Sequence, residues 1–119
     1  MPLPSVPRPR LVRVRGRSME PTLREGDLLL ALWGARVRPG VVAVVQLPAD
    51  ASGTPRPVSV KRIVGVDPEA RDRWWLESDN AREGVSSFEI GSLAPSDVVA
   101  VVTTRLWPSP GKVTVRHTP

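Results

Sequence analysis

The sequence predicts a predominantly β fold, a small barrel or folded-over sheet, and three observations carry that reading. Its apolar runs are short and strand-like, they are separated by glycine and proline turn signals, and no stretch holds a helical repeat over three turns. No internal repeat is present.

Each element follows from its local pattern. Residues 1–10, "MPLPSVPRPR", hold four prolines and no apolar periodicity, which predicts a flexible N-terminal arm. "LVRVR" at 11–15 alternates, with Val12 and Val14 on one face and Arg13 and Arg15 on the other, as in a half-buried strand. "DLLLALW" (27–33) and "VVAVVQL" (41–47) read as apolar strands on either side of a turn at "RPG" (38–40). Between the first two strands, Pro21 to Glu25 predicts one helical turn, with Thr22 and Glu25 spaced as a capping box. "PADASGTPRP" (48–57) is a loop, "VSVKRIVGV" (58–66) a strand, "DPEARDR" (67–73) a turn or loop and "WWLES" (74–78) a short strand. After a loop at "DNAREG" (79–84), "VVAVVTTRLW" (98–107) is a long strand, and Pro108, Pro110 and Gly111 break the tail behind it. The expected organisation is therefore an arm at 1–10, one domain over 11–106 and a tail at 107–119.

Composition narrows the function. At 119 residues and 40% hydrophobic content, the chain supports one domain with a single modest core. Its longest nearly unbroken apolar run, Leu28 to Ala35, falls short of the roughly 20 residues a bilayer helix needs. The N-terminal stretch lacks the apolar middle of a secretory signal, so the expectation is a soluble, cytoplasmic protein with no transmembrane segment. Without cysteine there is no disulfide, no thiol nucleophile and no thiolate metal site. A lone histidine, His117, argues against zinc, and no cofactor is expected. The arginine cluster from Arg8 to Arg17 has no aromatics interleaved in sequence and reads as a solvated strand face rather than a nucleic-acid surface.

Of 17 basic residues, all but Lys61 and Lys112 are arginine. A lysine in such a chain suits a task arginine cannot do, which is losing its proton. "GRSMEPTLREGD" (16–27) sets Ser18 before a Met-x-Pro turn between two strands, a place for a nucleophile that lacks a histidine base. On a regular strand Lys61 shares its face with Ser59, Ile63 and Gly65, among valine-rich surroundings. Burial there penalises the ammonium, and a neutral amine can accept the Ser18 hydroxyl proton. Taken singly, such a serine is more often a turn residue and such a lysine a solvated charge. Together they form a candidate serine–lysine dyad.

The surrounding blocks resemble the signal peptidase I and LexA-like superfamily of serine–lysine peptidases. "GRSMEPTLREGDLLLA" is similar to the nucleophile block, with Ser18 at the nucleophile, and "VKRIVGV" to the lysine block, with Lys61 at the general base. Ser78-Asp79-Asn80 echoes a Gly-Asp-Asn block, and "APSDVVAVV" (94–102) resembles the closing strand. Within that superfamily, "LWGARVRPG" (32–40) and "WWLESDNAREG" (74–84) are similar to segments of the small nickel-type superoxide dismutase maturation proteases. The resemblance implies the signal peptidase catalytic-core fold. It also implies an endopeptidase that removes an N-terminal leader from a protein substrate, the nickel superoxide dismutase precursor, the metal belonging to that substrate.

The sequence departs from the pattern at several places. Ser78 stands where glycine is usual, Val41 replaces an aspartate frequent after "RPG", and Gly16 takes a position where some signal peptidases carry a hydroxyl. The oxyanion hole is then expected to rest on backbone N–H groups, that of Ser18 included. Asp79 and Asn80 are expected to organise the nearby loop, and Ser86 or Ser87 to supply a hydroxyl that orients Lys61. Other readings are a processing enzyme with another substrate, or a catalytically silent binding module on the same fold. A self-cleaving domain of the LexA type ranks lower, since residues 1–17 contain no alanine.

Overall fold

The structure, a computed structural model, describes residues 6–116. The first five residues of the expected arm, and His117, lie outside the described residues. The fold is mainly β, as the sequence predicts. Seven strands form one antiparallel sheet: β1 (Arg8–Arg13), β2 (Leu28–Trp33), β3 (Val42–Val45), β4 (Ser59–Asp67), β5 (Ala70–Glu77), β6 (Val98–Trp107) and β7 (Gly111–Lys112). A single turn of helix, α1 (Ser87–Ile90), and a 3₁₀ turn at Pro95–Asp97 lie between β5 and β6. The spatial order is β1-β2-β6-β3-β4-β5, with β7 beside β6. No helix among the described residues is long and apolar enough to cross a membrane.

The strand patterns explain the layering. In β3 every residue is apolar and buried, because the sheet is covered on both faces at that point. Val42 and Val44 pack with Val14, Met19, Leu23, Leu29, Ala31, Ala100 and Val102 on one side. Ala43 and Val45 pack with Val41, Ile63, Leu76, Leu93 and Val101 on the other. Alternation of side chains along one strand thus feeds two apolar clusters. The expected single core is divided by the sheet.

Three boundaries differ from those the local patterns predict. β1 runs from Arg8, where it pairs with Trp33, to Arg13, so residues 8–10 are strand rather than arm, and Val14 and Arg15 of the strand expected at 11–15 lie beyond its end. β5 begins at Ala70, directly paired with Asp67 in a tight turn, and takes in the charged "ARDR" segment. The tail is packed as well: Lys112 pairs with Thr104, Val113 is buried, and the Arg116 N–H donates to the Gly40 carbonyl at 2.9 Å. Gly40 has φ +92°, and a β-carbon there would collide with the Arg116 carbonyl. The tail can lie this close only because position 40 carries no side chain.

The arginines around β1 have local partners. Arg10 lies 5.2 Å from the Trp33 ring centroid, and Arg13 lies 5.8 Å from that of Trp107 while also donating to the Gly26 carbonyl. Arg17 pairs with Glu20. The aromatics come from β2 and β6, which a linear reading of the cluster does not reveal.

Candidate active site

Ser18 sits in an excursion between β1 and β2 whose ends are tied together. The Val14 N–H donates to the Asp27 carbonyl at 2.9 Å, and the Gly26 N–H to the Val14 carbonyl at 2.8 Å. Met19 and Leu23, each 1% exposed, anchor the excursion in the first apolar cluster. The Leu23 N–H donates to the Met19 carbonyl, so a hydrogen-bonded turn closes over Met19 to Leu23, and the helical turn expected at Pro21 to Glu25 does not form. Nor does its expected capping box. Thr22 instead donates to the Asp79 carboxylate, and the Glu25 carboxylate accepts from the Gly16 N–H. Both side chains have tertiary partners that outcompete a local cap.

Lys61 lies in β4 opposite Ala43, and the small alanine leaves room for its chain. It is 2% exposed. Burial pushes its amine below the usual lysine range, only partly opposed by the charge of Glu89. Lys61 Nζ donates a 2.9 Å hydrogen bond to Ser78 Oγ, at the exit of β5. Among the described residues that is where the amine's hydrogen bond goes, rather than to Ser18 Oγ.

Ser18 and Lys61, about forty positions apart in the chain, nevertheless meet at one point. A β-carbon built on Gly84 would stand 2.6 Å from Lys61 Nζ, 2.9 Å from Ser18 Cβ and 3.2 Å from Ser78 Oγ. The Ser18 β-carbon, the Lys61 amine and the Ser78 hydroxyl therefore border a single small space.

Ser86 and Ser87, expected as candidates to orient the lysine, are otherwise engaged. Ser86 caps α1 in a reciprocal box with Glu89, and Ser87 Oγ accepts from the buried Leu76 N–H at 2.8 Å. The hydroxyl that meets the Lys61 amine is that of Ser78. The departure from glycine at that position was the sequence signal for it.

The residues after Ser78 hold the excursion in place. The Asn80 N–H donates to the Ser18 carbonyl at 2.8 Å, and Asn80 Nδ2 to the Arg17 carbonyl at 3.1 Å. Asp79 takes two hydrogen bonds from Arg62, at 3.1 and 2.7 Å, in addition to that from Thr22. Burial raises the Asp79 carboxyl, but the Arg62 and Thr22 hydrogen bonds and the charges of Arg62 and Arg116 outweigh it and leave it below the usual carboxylate range. Arg62 also donates to the carbonyls of Gly40 and Thr114. One buried ion pair thus joins the Ser18 excursion, β4 and the tail.

A cleft of about 340 Å³ opens beside Ser18, walled by Val12, Val14, Met19, Trp33, Val44 and Val60. Its walls are mostly apolar, and Arg13, Arg15 and Ser59 line it together with Ser18. A larger groove of about 810 Å³ by Trp75 and Phe88 contains neither Ser18 nor Lys61. Among the described residues no group of histidine, cysteine, aspartate and glutamate is placed to hold a metal ion. No family model matches the chain, and no curated protein matches it.

Proposed function

We propose that this chain is a serine endopeptidase in which Ser18 is the nucleophile and Lys61 the general base. The observation that supports the reading is the approach of the Ser18 side chain, which lines the cleft, and the buried Lys61 amine to one point beside Gly84. The neutral Lys61 amine takes the Ser18 proton as Oγ attacks the peptide carbonyl, and the resulting ammonium returns that proton to the leaving amine. Water then releases the acyl group, with Lys61 again accepting and returning a proton. Ser78 accepts one amine N–H and so holds the nitrogen in place, with its lone pair open to the Ser18 proton. Backbone N–H groups around Ser18 hold the oxyanion.

The cleft takes an extended segment of a protein chain with small apolar side chains. Together with the family resemblance, this supports removal of an N-terminal leader as the activity, the nickel superoxide dismutase precursor as a candidate substrate, and the signal peptidase core as the fold type. The deciding experiment is co-expression with such a precursor, followed by intact mass of its N-terminus. Wild-type protein should shorten the precursor, while Ser18→Ala and Lys61→Arg should leave it whole with their own folds intact. Normal cleavage by Lys61→Arg, which keeps the charge and loses the base, would overturn the mechanism.

A further inference from the structure

We propose that Gly84 is a positioning residue of the dyad: its missing side chain lets the loop between β5 and α1 close over Lys61 Nζ and hold it beside Ser18. The inference rests on the dyad reading above.

Several glycines here have positive φ, and most need no further explanation than the turn they make. Gly16, Gly26, Gly34, Gly53 and Gly91 adopt φ of 78 to 91°, and an added β-carbon at any of them would meet nothing within 4 Å. Gly84 has a similar φ of +77° but a different environment. Its added β-carbon would fall among Lys61 Nζ, Ser18 Cβ and Ser78 Oγ, the nearest only 2.6 Å away. Contacts at 2.6 and 2.9 Å do not persist, so the added carbon must be relieved of both Lys61 Nζ and Ser18 Cβ. The excursion bearing Ser18 is bonded through its backbone to Asn80 and anchored by Met19 and Leu23. The end of the long Lys61 side chain therefore yields, and the loop carrying Gly84 draws back from Ser18.

Displacement has a chemical consequence. An amine pushed from Ser78 leaves the dry space, regains water and keeps its proton more firmly. It also leaves Ser18 without a base. Gly84 therefore acts through Lys61 and touches no substrate.

Gly91→Ala serves as the control, because it imposes the same unfavourable φ where the space is open. Only two lysines are present, so the Lys61 and Lys112 side-chain resonances can be followed separately by NMR as pH is raised. In the wild type and in Gly91→Ala, the Lys61 midpoint should fall below the ordinary lysine value of 10.5. In Gly84→Ala it should move up toward that value, and precursor cleavage should fall on the order of 100-fold. An unchanged Lys61 midpoint in Gly84→Ala, or an equal change in Gly91→Ala, would overturn the proposal. The titration is read without substrate. A wild type that cleaves nothing while Lys61 still responds to Gly84→Ala would defeat the peptidase reading and leave this positioning role standing.

Discussion

Lys61 Nζ and Ser78 Oγ are joined by a 2.9 Å hydrogen bond, and Ser78 Oγ in turn lies 3.4 Å from the Val85 carbonyl. The hydroxyl donates a hydrogen bond to the Val85 carbonyl and accepts one from the amine. Ser78→Ala should therefore lower kcat for precursor cleavage on the order of tenfold to 100-fold, with KM little changed. Steady-state kinetics on a leader peptide check the split.

The burial of Lys61 also predicts how stability varies with pH. Its folded amine lies below the ordinary lysine value of 10.5, so the unfolded chain binds more protons between the two values. Stability then rises with pH across that interval, and the cost of Lys61 is fully present only below it. Lys61→Met should be more stable than wild type at neutral pH, with the gap closing as pH approaches the ordinary lysine value. Urea unfolding from neutral pH upward checks both the sign and the closing of the gap.

Asp79 behaves in the opposite sense. Its carboxyl lies below 3.8, so its stabilising contribution is complete above that value and is lost as pH falls through the lower, folded value. Its side chain is 1% exposed and that of Arg62 is 4% exposed. Asp79→Asn leaves the guanidinium without its counter-charge and should cost about 3–5 kcal/mol near neutral pH. The deficit should shrink in strong acid, as urea midpoints measured at falling pH will show.

Val60 stands opposite Val44 in the wall of the cleft. Val60→Trp should fill much of that space and lower kcat/KM for a protein substrate mainly through KM. Acylation of Ser18 by a small serine-directed reagent should change little. Comparison of the two rates separates cleft occupancy from chemistry.

Much of the fold was legible because the decisive signals are local. β6 has the bounds its apolar run predicts, and alternation in "LVRVR" correctly buries Val14 and exposes Arg13 and Arg15. The errors arose where distant partners decide. "ARDR" joins β5 because β4 supplies a facing edge, although its charges suggest a loop. Residues 111–116 pack because Gly40 and Arg62 receive them, from positions far earlier in the chain. Thr22 and Glu25 have the spacing of a cap, but Asp79 and Gly16 claim them. The cap forms at Ser86 and Glu89, which share that spacing. For the site, Ser18 and Lys61 stood out as residue types, and Ser78 only as a departure. Gly84 carried no sequence signal, because what matters there is the space around a missing atom.

The outer margin of β1 carries its own protection. β1 ends the sheet, and a terminal strand tends to recruit another chain and start a fibre. Pro9 has no N–H to offer an arriving backbone, and Arg8, Arg10 and Arg13 would set like charge against like charge if two copies joined side by side. The same arginine-rich segment therefore works against edge-to-edge pairing of two copies along β1.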